Sequence, residues 1–133
     1  DELKTLYNKV LEVQKACIDK IGAGVLGSSV NELALDMFEE DGHPTLRSHT
    51  GTTEGYCHSL GHGLGLNVHE WPVLSPTWPK KLEKGSVVTV EPGLYYPERG
   101  IGIRIEDVVA IMPNGNVKNL CKNNKLLEIP LKG

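Results

Sequence analysis

The segment Gly61-His62-Gly63-Leu64-Gly65-Leu66-Asn67-Val68-His69-Glu70 sets two imidazoles among glycines and leucines, with a carboxylate directly behind the second. Two familiar motifs are excluded. A zinc-protease helix needs His-Glu followed by a second His one turn on, but His69-Glu70 runs into Trp71-Pro72-Val73, and proline interrupts a helix. A dinucleotide loop needs G-x-G-x-x-G between a strand and a helix. Gly61, Gly63 and Gly65 give G-x-G-x-G instead, and the residues after them read as a strand. The reason for two histidines in one tight segment must come from the rest of the chain.

Upstream, Leu3, Leu6, Val10, Val13, Cys17 and Ile21 recur at helical spacing, so residues 2–21 predict an amphipathic helix stopped by Gly22 and Gly24. A second helix is expected over 30–40, with Ser29 and Glu32 as its capping box. Downstream, glycine, proline and β-branched residues dominate. Strands are expected at 86–91 and 102–112, then a turn at Pro113-Asn114-Gly115-Asn116 and a short strand at 117–120. Two helices followed by a mainly antiparallel sheet make an α+β fold, read as one domain over 1–133.

The bulk composition narrows the function. A chain of 133 residues with 39% hydrophobic and 23% charged residues suits one globular domain. A net charge of −3 with scattered Lys and Arg argues against a nucleic-acid surface. No apolar run approaches the ~20 residues of a membrane span. Cys17, Cys57 and Cys121 are odd in number and widely spaced, which fits neither a disulfide framework nor a thiolate zinc site and points to a reducing, cytoplasmic setting. Cys57 adjoins His58, but neighbours on a strand face opposite ways, so a nucleophile pair is disfavoured against a small buried thiol.

Two carboxylates stand in segments that otherwise read as buried strand. Glu91 ends Val87-Val88-Thr89-Val90, and Glu106 lies within Ile103-Arg104-Ile105-Glu106-Asp107-Val108-Val109. A buried carboxylate is costly unless it is paired or holds a metal. Glu106 has an ion pair with Arg104 as its plain structural alternative, and Glu91 an exposed strand end. Taken with the histidines, the set forms a hard donor group suited to Mn²⁺, Co²⁺ or Fe²⁺. Two close ions can hold and activate a shared water. One histidine would then serve metal, and the other would stabilise charge developing on the substrate.

His58-x-x-x-His62-Gly63-Leu64-Gly65, Val68-His69-Glu70-x-Pro72, Glu91-Pro92-Gly93 and Gly102-Ile103-Arg104-Ile105-Glu106-Asp107 together resemble the pita-bread metallopeptidases. Within these, Arg-Ile-Glu-Asp is similar to the Xaa-Pro branch, aminopeptidase P and prolidase, rather than to methionine aminopeptidases. The resemblance implies hydrolysis of the bond preceding proline by a metal-activated water. It implies His62, Glu91 and Glu106 as metal ligands, with Glu106 bridging two ions. His69 would contact the substrate, His58 would line the proline side, and Arg104 would orient a carboxylate ligand. His43 and His49 match nothing in the pattern.

The implied cofactor is a pair of divalent ions in the intact parent, Mn²⁺ first, with Co²⁺, Zn²⁺ or Fe²⁺ open. The family also uses two upstream aspartates. Asp1, Asp19, Asp36 and Asp41 do not match them, so the chain is expected to be the C-terminal half of a pita-bread catalytic domain, inactive alone. The implied partners are a peptide with proline second, the upstream half of the domain and a second copy in a homodimer. Two other readings stay open: a non-catalytic peptide- or protein-binding module, and a metal-free hydrolase resembling creatinase.

Overall fold

The computed structural model describes residues 2–131. The apolar repeat of the first segment forms helix α1, Glu2–Lys20, which buries Leu6, Val10, Val13 and Cys17 along one stripe. Helix α2, Gly27–Glu40, packs beside it through Val30, Ala34, Leu35 and Phe38. The expected Ser29–Glu32 capping box does not form. Leu26 is the N-cap without a side-chain bond, and the Ser29 hydroxyl donates back to the Leu26 carbonyl at 2.8 Å. Tertiary pairing sets the helix start instead, because Leu26 bridges Lys81 and the Leu82 amide donates to the Val25 carbonyl at 2.7 Å.

Seven strands follow: β1 Gly61–Gly63, β2 Glu70–Leu74, β3 Val87–Val90, β4 Gly93–Tyr96, β5 Ile101–Arg104, β6 Asp107–Ile111 and β7 Val117–Asn119. The larger sheet has the order β2-β1-β3-β6-β7, and β4 and β5 form a second, two-stranded sheet. Every pairing is antiparallel. The Pro113–Asn116 turn joins β6 to β7 as expected, with the Gly115 amide donating to the Met112 carbonyl at 2.8 Å.

Two expectations are corrected. The residues after Gly65 are not a strand. Residues 64–69 are an exposed loop, and Glu70 folds back into it, its carboxylate accepting the Asn67 amide at 3.2 Å. Nor is 102–112 one strand, because it breaks at Ile105-Glu106 and passes from the small sheet to the large one. Its antiparallel partner makes the same passage at Glu91-Pro92. Val90 pairs with Asp107 and Gly93 with Arg104, so continuing the register sets Glu91 opposite Glu106 and Pro92 opposite Ile105. The Ile105 amide donates to the Pro92 carbonyl at 3.3 Å. Sequence periodicity cannot register such a crossing, because alternation continues through it.

A side chain from α1 closes the gap in the ladder. Gln14, only 1% exposed, donates its amide to the carbonyls of Val90 at 3.2 Å and Ile105 at 3.0 Å. These are the residues directly before Glu91 and Glu106. Farther out, His43 Nδ1 and the Tyr96 hydroxyl lie 2.6 Å apart and tie the loop after α2 to the end of β4.

Gln14→Ala strips the amide from two carbonyls at the crossing, and a buried acceptor without a partner costs ~1–3 kcal/mol. Urea unfolding should show a loss of about 2–4 kcal/mol, and a loss below ~0.5 kcal/mol would rule out the clamp. Burial lowers the His43 pKa from its ordinary 6.5, an effect that nearby Asp41 opposes. The unfolded chain therefore takes up this proton first as pH falls through 6.5, and stability declines with it. His43→Gln should flatten that part of the stability–pH curve; an unchanged slope would remove His43 as its source.

Candidate functional site

A cavity of about 380 Å³ opens on the sheet, lined by His58, Ser59, Gly61, His62, His69, Val73, Ser75, Glu91 and Arg104. Strand alternation turns Val88 and Val90 one way and Thr89 and Glu91 the other. Backbone contact at β1 is unusually close. A Cβ on Gly61 would sit 1.9 Å from the Thr89 carbonyl oxygen, and one on Gly63 would sit 2.3 Å from that of Trp71. Glycine at both positions is what lets β1 lie between its neighbours and hold His62 over β3.

His62 and Glu91 meet directly, with Nε2 to Oε1 at 3.1 Å. His62 Nδ1 lies 2.8 Å from the Gly63 carbonyl, to which it can only donate. In the neutral ring Nε2 therefore carries a lone pair facing a carboxylate oxygen. Two acceptors at that distance need a proton or a cation between them, and a divalent ion fits this donor pair. Glu91 is 8% exposed. Its Oε1 also accepts the Thr89 hydroxyl at 2.9 Å, and the Thr89 oxygen in turn accepts the His62 amide at 3.0 Å.

A second chain of contacts runs from the other carboxylate oxygen. Arg104 lies 3.6 Å from Glu91 Oε2, and its Nε donates to the Tyr95 hydroxyl at 2.7 Å. Tyr95 lies 3.1 Å from His58 Nε2, and His58 Nδ1 lies 2.8 Å from the Ser59 carbonyl. With Nδ1 donating to Ser59, Nε2 must accept, so Tyr95 donates to His58 while accepting from Arg104. Burial lowers the His58 pKa, although the bond to Ser59 opposes this. The Arg104 pKa is raised although burial acts against it, because the Tyr95 hydroxyl, Glu91 and Glu106 all favour its charge.

The structure thus gathers His58, His62, His69, Glu91 and Arg104 around one cleft, with the His69 and His62 rings edge to face at 4.6 Å. Glu106 is not among the residues that line it. Glu106 is exposed at the crossing, where its charge acts on Arg104 at the cleft's edge. Among the described residues no group of three or more His, Cys, Asp or Glu side chains is arranged to hold a metal. His49 is exposed and away from the cleft, and Cys17, Cys57 and Cys121 are free thiols. Sequence reasoning missed Tyr95. Its signal was present in Glu91-Pro92-Gly93-Leu94-Tyr95, where β4 alternation puts Gly93 and Tyr95 on one face.

The sequence profile described as metallopeptidase family M24 matches residues 1–113. A Xaa-Pro dipeptidase of Pyrococcus horikoshii is 38% identical over 127 residues, which is 96% of this chain and 33% of that protein. The X-Pro aminopeptidase of Thermotoga maritima superposes with a TM-score of 0.79 at 36% identity, over 95% of this chain and 33% of that one. The Pyrococcus horikoshii prolidase gives 0.76 at 37% identity, over 91% and 32%. This chain therefore spans about a third of the proteins it matches. Two helices and a mainly antiparallel sheet are the pita-bread arrangement of these neighbours. With the profile match covering most of its length, the chain belongs to metallopeptidase family M24.

Proposed function

We propose that the protein is a metal-dependent Xaa-Pro peptidase, and that this chain forms the C-terminal half of its pita-bread catalytic domain. The observation that carries the reading is His62 Nε2 facing Glu91 Oε1 at 3.1 Å inside a cleft shared with His58 and His69. The Xaa-Pro dipeptidase and aminopeptidase names among its relatives support the choice of substrate. A cytoplasmic site of action agrees with three unpaired cysteines. Prolidase against aminopeptidase P is a question of substrate length.

His62 and Glu91 are the proposed metal ligands. Glu106 is the proposed third, supported by its register position opposite Glu91 and by its charge acting with that of Glu91 on Arg104. The remaining ligands would come from outside this chain, as would the surface covering Leu64, Leu66 and Val68, which are 50%, 105% and 82% exposed. A pair of divalent ions, Mn²⁺ first, would supply Lewis-acid activation of water there.

The chain's own residues then have distinct tasks. His69 donates a hydrogen bond to the oxygen that gains charge as the peptide carbonyl is attacked. His58, held by Ser59 and Tyr95, presents a fixed ring to the proline flank. Arg104 steadies Glu91 from the side opposite His62.

In the intact protein, His62→Ala should empty the metal site by elemental analysis. His69→Ala should keep the metal and lower kcat by ~10²–10⁴ on a peptide with proline second. The reverse pattern would exchange the two roles, and absence of proline-peptide cleavage in the metal-loaded protein would overturn the reading. Tyr95→Phe removes the hydroxyl joining Arg104 to His58. It should reduce kcat/KM about ten-fold at unchanged metal content, the effect of roughly one hydrogen bond. Full activity would show that the link is not used.

A further inference from the structure

The cleft does not end at His58. A second cavity, about 320 Å³, shares His58 and Ser59 with the first and continues between α2 and the loops after it. Its apolar wall is Leu35, Leu46 and Pro76. Asn31, 1% exposed, also lines it. Its side-chain oxygen accepts the Leu60 amide at 3.0 Å, so the NH₂ end is its polar contribution to the cavity.

The charge at the far end is unequal. Arg47 and Glu32 both line the cavity. Arg47 is already engaged from behind, donating to Asp36 at 2.7 Å and to Glu39 at 2.7 and 3.2 Å. Glu32 stands 3.6 Å from Arg47, beyond a good hydrogen bond, with its side chain 53% exposed. Three carboxylates thus surround one guanidinium, and Glu32 is the one left to act on a visitor. An apolar channel ending where three carboxylates share one guanidinium carries net negative charge and fits an aliphatic stem with a cationic tip.

We propose that this cavity is a specificity subsite for the residue following the proline, and that it selects lysine or arginine there. The proposal rests on the functional reading above, in which His58 flanks the proline. Distances agree. His62 is four residue steps from His58, at most ~14 Å of chain, and an extended peptide reaches from the reacting bond past the proline over about 10 Å. The stem of the third residue packs on Leu35, Leu46 and Pro76, and its cation meets Glu32. The enzyme accordingly acts on peptides longer than two residues.

The test uses the intact, metal-loaded peptidase with Ala-Pro, Ala-Pro-Lys, Ala-Pro-Leu and Ala-Pro-Glu. At low salt, kcat/KM for Ala-Pro-Lys should exceed that for Ala-Pro-Glu by roughly ten-fold, the effect of exchanging attraction for repulsion at an exposed carboxylate. The ratio should shrink in high salt. Glu32→Gln, a change at an exposed position, should bring it to within about two-fold, and Glu32→Arg should invert it, with Ala-Pro-Leu little affected. A ratio unchanged in both variants overturns the subsite. Cleavage of Ala-Pro with rejection of all three tripeptides overturns it while leaving the peptidase reading intact. Failure to cleave any of the four overturns both.

Discussion

Where β3 passes into β4 and β5 into β6, both strands leave one sheet for another at the same place, and the ladder between them is interrupted. A buried carbonyl without a donor is not tolerated for long in a folded protein. The Gln14 amide supplies donors to both, from a helix whose other buried residues are Leu6, Val10, Val13 and Cys17. The crossing keeps Glu91 opposite Glu106, and the clamp keeps the crossing. Glu91 in turn receives His62 from one side and Arg104 from the other. The geometry of the cleft therefore depends on a residue that does not reach it.

Two of the three cleft imidazoles are fixed by a backbone carbonyl close to them in sequence, His62 by Gly63 and His58 by Ser59. That assigns these two tautomers through covalent neighbours and leaves each Nε2 as an acceptor. The two rings then face different partners. One meets a carboxylate and is suited to a cation, while the other meets a phenol and is held neutral by burial. The same residue type serves two tasks because the second partner differs.

Much of this was legible in the sequence. Apolar spacing gave both helices, and the isolated carboxylate after Val87–Val90 gave Glu91 as a buried group paired with a histidine. The 64–69 loop was misread because its leucines and valine look like strand residues, yet they are exposed and the carboxylate of Glu70 holds the loop closed. Glu106 was assigned to a buried strand because periodicity runs through a sheet crossing without a mark. Tyr95 and Gln14 act through their polar tips at long range, and no local pattern distinguishes such a tip from an ordinary amphipathic position. The Ser29 capping box failed because pairing of Leu26 with Lys81 starts the helix earlier than any cap signal would.

The two bonds made by Gln14 span 76 and 91 residues of chain. Contacts so distant in sequence carry a large loop-closure entropy and form late in folding. During synthesis α1 is made before the strands described here, and its glutamine waits until most of them exist before meeting its acceptors. The helices can assemble early through local contacts, but the carboxylates take their places only when chain growth has passed Ile105. The two carboxylates thus come into register only late in folding.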